Sequence, residues 1–339
     1  SQNGSSMKLD ATPNTPGSSE CTVCHAETRA TLMRFDCLGC HAQNPNGGSN
    51  IISNTPQIAH NNGTDLAAGN YRHVFIDDTY GHNVHGFGNA VIAQDSNLGN
   101  TPPGFVSDYD PSTGKYQSAY PATAPGITCA GRNGCHGDRE EINQMTAMAS
   151  THHADDTVLR FGSINEASQG ATVGTSYRFL NKLHGAEDSD WEATSSSTDH
   201  NEYKGAVYAD RTTQSWANVE TISQLCSECH GLFHSTTGIV SSSVWIRHPT
   251  DVIIPNSGEY VNYTIYNTET PVGRQSIPNS VSGTVTPGSD IVTCLSCHRA
   301  HGSPYPDMLR FDYSKMLGNT AAAEAGTGCF RCHSNKDGV

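Results

Sequence analysis

Twelve cysteines occur in the 339 residues, and they fall into six pairs, each closed by a histidine. The pairs are Cys21/Cys24 with His25, Cys37/Cys40 with His41, Cys129/Cys135 with His136, Cys226/Cys229 with His230, Cys294/Cys297 with His298, and Cys329/Cys332 with His333. With 17 histidines in the chain, six such coincidences have a chance probability on the order of one in a hundred million, in a pattern that reads as c-type haem attachment. Two thiols separated by two residues can reach both vinyl groups of one porphyrin, and the histidine that follows is then directed at the iron as proximal ligand. The spacing therefore predicts six haem c groups. Structural zinc also uses paired cysteines but does not demand a histidine after every pair, and disulfides would leave those histidines unexplained. The third site departs from the pattern: Ala130, Gly131, Arg132, Asn133 and Gly134 separate its cysteines. The extra backbone must loop out there, which two glycines and an asparagine permit because they tolerate positive φ.

Six proximal histidines leave His60, His73, His82, His85, His152, His153, His184, His200, His234, His248 and His301. Eleven candidates for six distal positions predict bis-histidine, low-spin iron, with no coordination position open to a substrate and lower potentials than Met/His ligation gives. His301 follows His298 by three residues and His234 follows His230 by four. One helical turn would place each pair on one face and aim the second histidine at a neighbouring haem. Of the adjacent His152 and His153, at most one is expected to ligate a given iron.

The elements that must position these residues have little conventional material. Hydrophobic residues make up 35% of the chain and aromatics 7%, while Gly and Pro number 33 and 16. A chain so poor in apolar residues is disordered unless something other than side chains fills its interior, and the haems are that material. The expected fold is mostly irregular and coil-rich, with short helices at the attachment motifs and a few short strands. Strands are expected at 259–266, where Tyr, Asn, Thr and Ile alternate, and at 243–247. Residues 1–20 read as a flexible or subunit-docking arm, and 21–339 as one haem-stapled unit. Within it, sites 1 and 2 lie at 21–41, site 3 at 129–136, site 4 at 226–230, and sites 5 and 6 at 294–333.

A short echo links Leu32-Met33-Arg34-Phe35-Asp36 with Met308-Leu309-Arg310-Phe311-Asp312, and more loosely with Val158-Leu159-Arg160-Phe161. It reads either as a helix turn with a buried Phe and an exposed Arg, or as a site where Arg34 and Arg310 each hold a haem propionate through paired N–H donors. The stretch from Asp108 to Gly114 resembles a calcium loop but lacks the glycine and the glutamate that such loops place at positions six and twelve.

No apolar run is long enough to span a bilayer. Covalent haem attachment outside the cytoplasm predicts a secreted chain, extracellular or at the cell surface, read here as a mature form from which a signal peptide has been removed. The formal charge of −14 argues against nucleic acid or anionic lipid as partners.

The motifs, with Gly81-His82-Asn83-Val84, the stretch from Ser176 to Leu180, Glu187 to Trp191, His200-Asn201-Glu202-Tyr203, Cys229 to His234, Arg247-His248-Pro249 and His298-Arg299-Ala300-His301-Gly302, resemble the multihaem outer-surface cytochromes of metal-respiring microbes. Some of these are hexahaem cytochromes that polymerise into conductive filaments. The resemblance extends over most of 20–339. It implies a chain wrapped around a row of stacked haems, and His82, His200, His248 and His301 as the preferred distal ligands, with His60, His153 and His234 next. It also implies that one terminal iron takes its distal histidine from an adjacent identical subunit, for which His60 and His85 are candidate donors. The expected function is electron transfer by hopping, without a catalytic site, toward acceptors such as metal oxides or other cytochromes. The alternatives are a monomeric shuttle, a terminal metal reductase, or a multihaem oxyanion reductase, the last of which needs an iron with an open position.

Overall fold

The computed structural model describes residues 37–53, 55–82, 84, 102–103, 127–139, 141–148, 180, 183–207, 220–234 and 248–336. The N-terminal arm, the first attachment site (Cys21, Cys24, His25), Arg34, His85, His152, His153, the 243–247 strand, the Val158–Phe161 echo and the Asp108–Gly114 loop lie outside the described residues.

Regular structure is sparse and short, as the Gly- and Pro-rich composition requires. Among the described residues the α-helices are α1 (Cys37–His41), α2 (Gln144–Ala147) and α3 (Ile222–Ser227). A two-stranded ladder joins β1 (Ile51–Ile52) to β2 (Thr55–Pro56). A second sheet collects β3 (Gly185–Ala186), β4 (Glu202–Lys204), β5 (Val252–Ile253), β6 (Gly273–Arg274) and β7 (Ile291–Val292) in the order β3-β4-β6-β7-β5. Its pairings are antiparallel except β4 with β6. Among the described residues no helix is long and apolar enough to cross a membrane.

The strand expected at 259–266 is not formed. Gly258–Asn262 is a 3-10 helix, entered through Gly258 at φ +62°, and Ile265 makes an isolated bridge to Thr284. The alternation misled because Glu259 is drawn toward the last attachment motif, which bends the backbone out of an extended run.

Instead of one core there are small apolar clusters, and cysteines of the attachment motifs lie on their edges. Leu180, Leu183, Tyr203, Ile222, Leu225 and Leu295 form one, with Cys135 and Cys226 packed against it. Ala59, Tyr71, Val74 and Val84 form another, touched by Leu38, Ala42 and Cys129. A third, around Ile254, Tyr263, Tyr266, Val272 and Val285, carries Cys332. Apolar burial is thus concentrated where the attachment sites meet, which is where a large apolar prosthetic group would add most.

Candidate haem sites

The ten described cysteines are Cys37, Cys40, Cys129, Cys135, Cys226, Cys229, Cys294, Cys297, Cys329 and Cys332. Each is partly buried, and none of the ten is joined in a disulfide.

Short helical turns present the cysteines at most described motifs. Motif 2 is helix α1 itself. Motif 4 begins inside α3, whose N-terminus is closed by a reciprocal capping box between Thr221 and Gln224. Motif 5 opens a 3-10 turn over Cys294–Ser296 behind a similar box between Thr293 and Ser296, and motif 6 lies on a 3-10 turn over Gly328–Arg331. In motif 2, Cys40 is held from outside its own helix. Its carbonyl accepts from Gln43 Nε2 at 2.9 Å and from Gln57 Nε2 at 2.8 Å. Two glutamine side chains thus satisfy a carbonyl that the end of α1 leaves without a helical donor, and Gln57 ties the motif to the strand ladder beside it.

One hydrogen-bond pattern defines the turns of the later motifs. The backbone N–H groups of the second cysteine and of the histidine both donate to the carbonyl of the first cysteine. The distances are 3.1 and 2.8 Å at motif 4, and 3.3 and 3.0 Å at motif 5, while motif 6 gives 3.0 Å for the histidine. Motif 3 reproduces the pattern despite its longer spacer: Cys135 N and His136 N donate to Cys129 O at 3.2 and 3.0 Å. The spare residues form a side loop, tied back by Gly131 N to His136 O at 3.0 Å and Arg132 N to Glu141 O at 2.7 Å. Gly131 sits at φ +80°. At Gly134 a Cβ would lie 2.6 Å from both Ala130 N and Thr128 O, so the pinch closes only around a glycine.

The imidazoles are oriented by their Nδ1 atoms. His41 donates to Pro56 O at 2.9 Å, His230 to Pro103 O at 2.7 Å, His298 to Asp307 O at 2.7 Å, His82 to Ala300 O at 2.6 Å and His248 to Pro249 O at 2.8 Å. Each such bond fixes the tautomer and leaves the Nε2 lone pair to face a metal, the usual support of a ligating histidine. Burial holds His82, His248 and His298 below the ordinary imidazole range and brings His230 down to about 4. They are therefore neutral, the form that binds a metal. Burial also pushes the Cys229 and Cys297 thiols up to about 12 and Cys332 up to about 11.

Three proximal rings face a second histidine from a distant part of the chain. Ring centroids are 6.1 Å apart for His230 and His82, 6.2 Å for His136 and His301, and 6.3 Å for His333 and His248. A coordinated imidazole nitrogen lies about 2 Å from its metal and ~1.1 Å from its ring centre, so two rings on opposite sides of one metal have centroids roughly 6 Å apart. The residues fit axial ligation of one iron between each pair.

Two of these partners are placed by a close backbone junction. His82 N donates to His301 O at 3.1 Å, and His301 N to Ala68 O at 2.7 Å. Gly302 bridges both Gly69 and Gly81, and a Cβ on Gly81 would meet His301 O at 2.5 Å. His301 does not reach its position by a helical turn from His298. His298 pairs with Leu309 instead, and the extended junction turns His301 toward motif 3, where its ring also stacks on Tyr71 at 4.7 Å.

Of the remaining described candidates, His60, His200 and His234 are buried and His73 and His184 partly buried. His60, 1% exposed, has an Nε2 atom without a hydrogen-bond partner. His200 stacks on Tyr266 at 3.5 Å, with its Nδ1 on Ser196 O and its Nε2 3.5 Å from Glu202. His234, placed by the 3-10 turn Gly231–Phe233, ties Nε2 to Asp251 at 3.1 Å, and its Nδ1 is without a partner. His73 pairs with Asp65 at 2.9 Å.

Arg310 is buried rather than exposed, beside the buried Phe311. It donates to the carbonyls of Leu295 (2.7 Å), His298 (3.1 Å) and Thr268 (3.0 Å), so it braces motif 5. Three charged positions were missed in the sequence. Arg139 pairs with Glu228 in a buried bridge beside Cys135 and Cys229. Arg299 donates to Leu66 O at 2.7 Å, and Glu259 accepts from His333. None carries a spacing signal, because each works with a partner far away in sequence.

The motifs follow one another in space. Cys129 and Leu38 of motif 2 pack against the same apolar cluster; Cys135 lies near Cys226 and Cys229; the Cys226 and Cys294 thiols lie beside each other; and Cys297 lies near Cys329 and Cys332.

Residues 287–338 match the doubled CXXCH motif family. This region holds motifs 5 and 6, paired motifs of the kind that attach haem c. No curated protein matches the chain. Among solved structures it is similar to the outer membrane cytochrome S filament from Geobacter sulfurreducens, with 17% identity, 88% of each chain covered and a TM-score of 0.38. A superposition that loose carries no argument about the site.

Proposed function

We propose that this chain is an extracellular electron conductor in which six covalently held c-type haems form a row along which electrons hop, and that identical subunits join into a filament. The observation that carries the conductor reading is the set of three imidazole pairs, 6.1 to 6.3 Å between centroids, each joining a motif histidine to a remote segment. Bound haem supplies one-electron chemistry at its iron.

The chain's residues do the rest. The cysteine pairs fix each group, His82, His301 and His248 are the distal ligands at sites 4, 3 and 6, and carbonyls on Nδ1 hold the His82 and His248 rings in place. At sites 2 and 5, His60, His200 and His234 are the candidates, and His234 lies near Cys294 of motif 5. Saturated irons leave nowhere for an oxyanion to bind, which favours conduction over reduction of a small substrate. The run of neighbouring cysteines from motif 3 to motif 6 supports a row in chain order. The filament reading rests on the motif resemblance and on histidines in excess of six distal positions. A monomeric shuttle, or a terminal reductase passing electrons to metal oxides, is the alternative.

The test is a pyridine haemochrome assay and electron paramagnetic resonance on native protein, with cryo-electron microscopy of the same sample. Six low-spin haems per chain in filaments are expected. Fewer haems or a high-spin iron would overturn the conductor reading, and uniform monomers with six low-spin haems would overturn the filament.

A further inference from the structure

The two motifs of the C-terminal module differ in the charge around them. His41, His230 and His298 each give their Nδ1 proton to a neutral backbone carbonyl. His333 gives its own to a carboxylate, Glu259 Oε1, at 3.1 Å.

That carboxylate is held by the segment just past the motif: Asn335 N donates to Glu259 Oε2 at 3.1 Å, and Ser334 Oγ to the Glu259 carbonyl at 3.0 Å. The other groups around it are Lys336, whose exposed ammonium is 3.5 Å from Oε1, and Tyr260, edge-on to His333 at 5.2 Å. A carboxylate that accepts the outer N–H makes the imidazole a more basic ligand, and its negative charge favours the more positive, oxidised iron.

Motif 5 sets two cations against one carboxylate. The Arg310 guanidinium is buried beside His298 and Cys297, Arg299 lies next to it, and Asp307 is the acidic group that also acts on His298. Both donate to backbone carbonyls, with Asp65 and Glu192 acting on Arg299 only through charge. Positive charge held in a low-dielectric interior favours the reduced iron.

We propose that Glu259 sets the potential of the last site, making it the low-potential member of the C-terminal pair, so that an electron runs downhill from motif 6 to motif 5. This deepens the conductor reading and rests on it. Glu259 is a positioning and tuning residue, acting on the iron through His333.

Spectroelectrochemistry of the intact protein, with haem counting on the same samples, tests the proposal. In Glu259→Gln the side-chain carbonyl still accepts from His333 while the charge is gone. The haem count and low-spin signals should be unchanged, and the wave of the last site, the lower of the C-terminal pair, should move positive by about tenfold in the oxidised-to-reduced ratio at the old midpoint, roughly 59 mV for one electron. Lys336→Met, at an exposed position, should move the same wave the other way. Full haem loading with that wave unmoved in both variants, or movement of a different wave, overturns the proposal. If Glu259→Gln loses a haem, Lys336→Met alone decides, by the same criterion. A wild-type protein short of haem, or with His333 off the iron, fails the conductor reading instead.

Discussion

Motifs 3 and 4 hold their cysteines by the same two hydrogen bonds but reach them by different routes. At motif 4 the route is helix α3, where i→i−3 and i→i−4 bonds bring Cys229 and His230 back to Cys226 O. At motif 3 no described helix crosses the site, and the return to Cys129 O is made by a pinched loop with an Ala130–His136 bridge. The requirement of covalent attachment is therefore a local closure on one carbonyl, and the number of residues between the cysteines is secondary to it. What differs is tolerance: a helical turn accepts many side chains, whereas the pinch is built on glycines.

The largest effect expected from that difference is at Gly134. Gly134→Val places a branched side chain where a Cβ alone would lie 2.6 Å from two backbone atoms, and non-bonded carbons approach only to about 3.5 Å at optimum. The variant should lose the third haem, read as a drop of one haem per chain by mass spectrometry and haemochrome assay. Ser227→Val, in the spacer of motif 4, should keep its haem. Equal loss in both would break the contrast.

Next in size is the bridge that joins the two sites. Arg139 and Glu228 are 6% and 3% exposed, and each comes from the immediate neighbourhood of one motif. Removing one partner of a buried pair typically costs about 3–5 kcal/mol, because the other charge remains buried. Arg139→Met should therefore lower thermal stability strongly, and the double variant Arg139→Met/Glu228→Met should recover most of it. A single variant that melts like the wild type would show that the two sites are not coupled through this bridge.

A smaller effect belongs to motif 4 alone. Thr221 Oγ1 accepts from Gln224 N at 3.2 Å and donates to Asp251 at 3.0 Å. Thr221→Ala should cost about 1 kcal/mol of stability with every haem retained, and loss of the fourth haem would show that helix capping itself is needed for attachment.

Much of this was readable from residue order. The attachment cysteines identify themselves by pairing and by the histidine that follows, and helical turns at motifs 2, 4, 5 and 6 follow from their spacing. Of the four preferred distal candidates, His82, His248 and His301 face a motif histidine, whereas His200 stacks on Tyr266. For His301 a spacing of three suggested a helical turn where the chain is extended. For Arg310 the pattern left an exposed side chain and a propionate anchor open; the side chain is buried and donates to carbonyls at 268, 295 and 298. Every residue carries a carbonyl, so neither those partners nor the ones that orient the imidazoles can be seen in a sequence. The same holds for the glutamines that meet the Cys40 carbonyl. Glu259 was hidden for the related reason that its partner lies 74 residues away.

The sharpest test of the comparison between motifs 3 and 4 is to shorten the insertion. Deleting Gly131, Arg132 and Asn133 leaves Cys129-Ala130-Gly134-Cys135-His136, the standard spacing. If closure on Cys129 O is what attachment needs, the shortened motif can make it by an ordinary turn. The variant should keep its full haem count and the low-spin signal of the His136 and His301 pair. It gives up the backbone bonds that tie the side loop down, among them Thr128 N to Asn133 O at 2.9 Å and Arg132 N to Glu141 O at 2.7 Å, each worth about 0.5–1.5 kcal/mol net. A modest fall in melting temperature with intact haem content would mark the insertion as an addition to a standard site. Loss of the third haem would mean that the looped spacer positions the cysteines in a way a helical turn cannot, and the equivalence of the two motifs would then be confined to their hydrogen bonds.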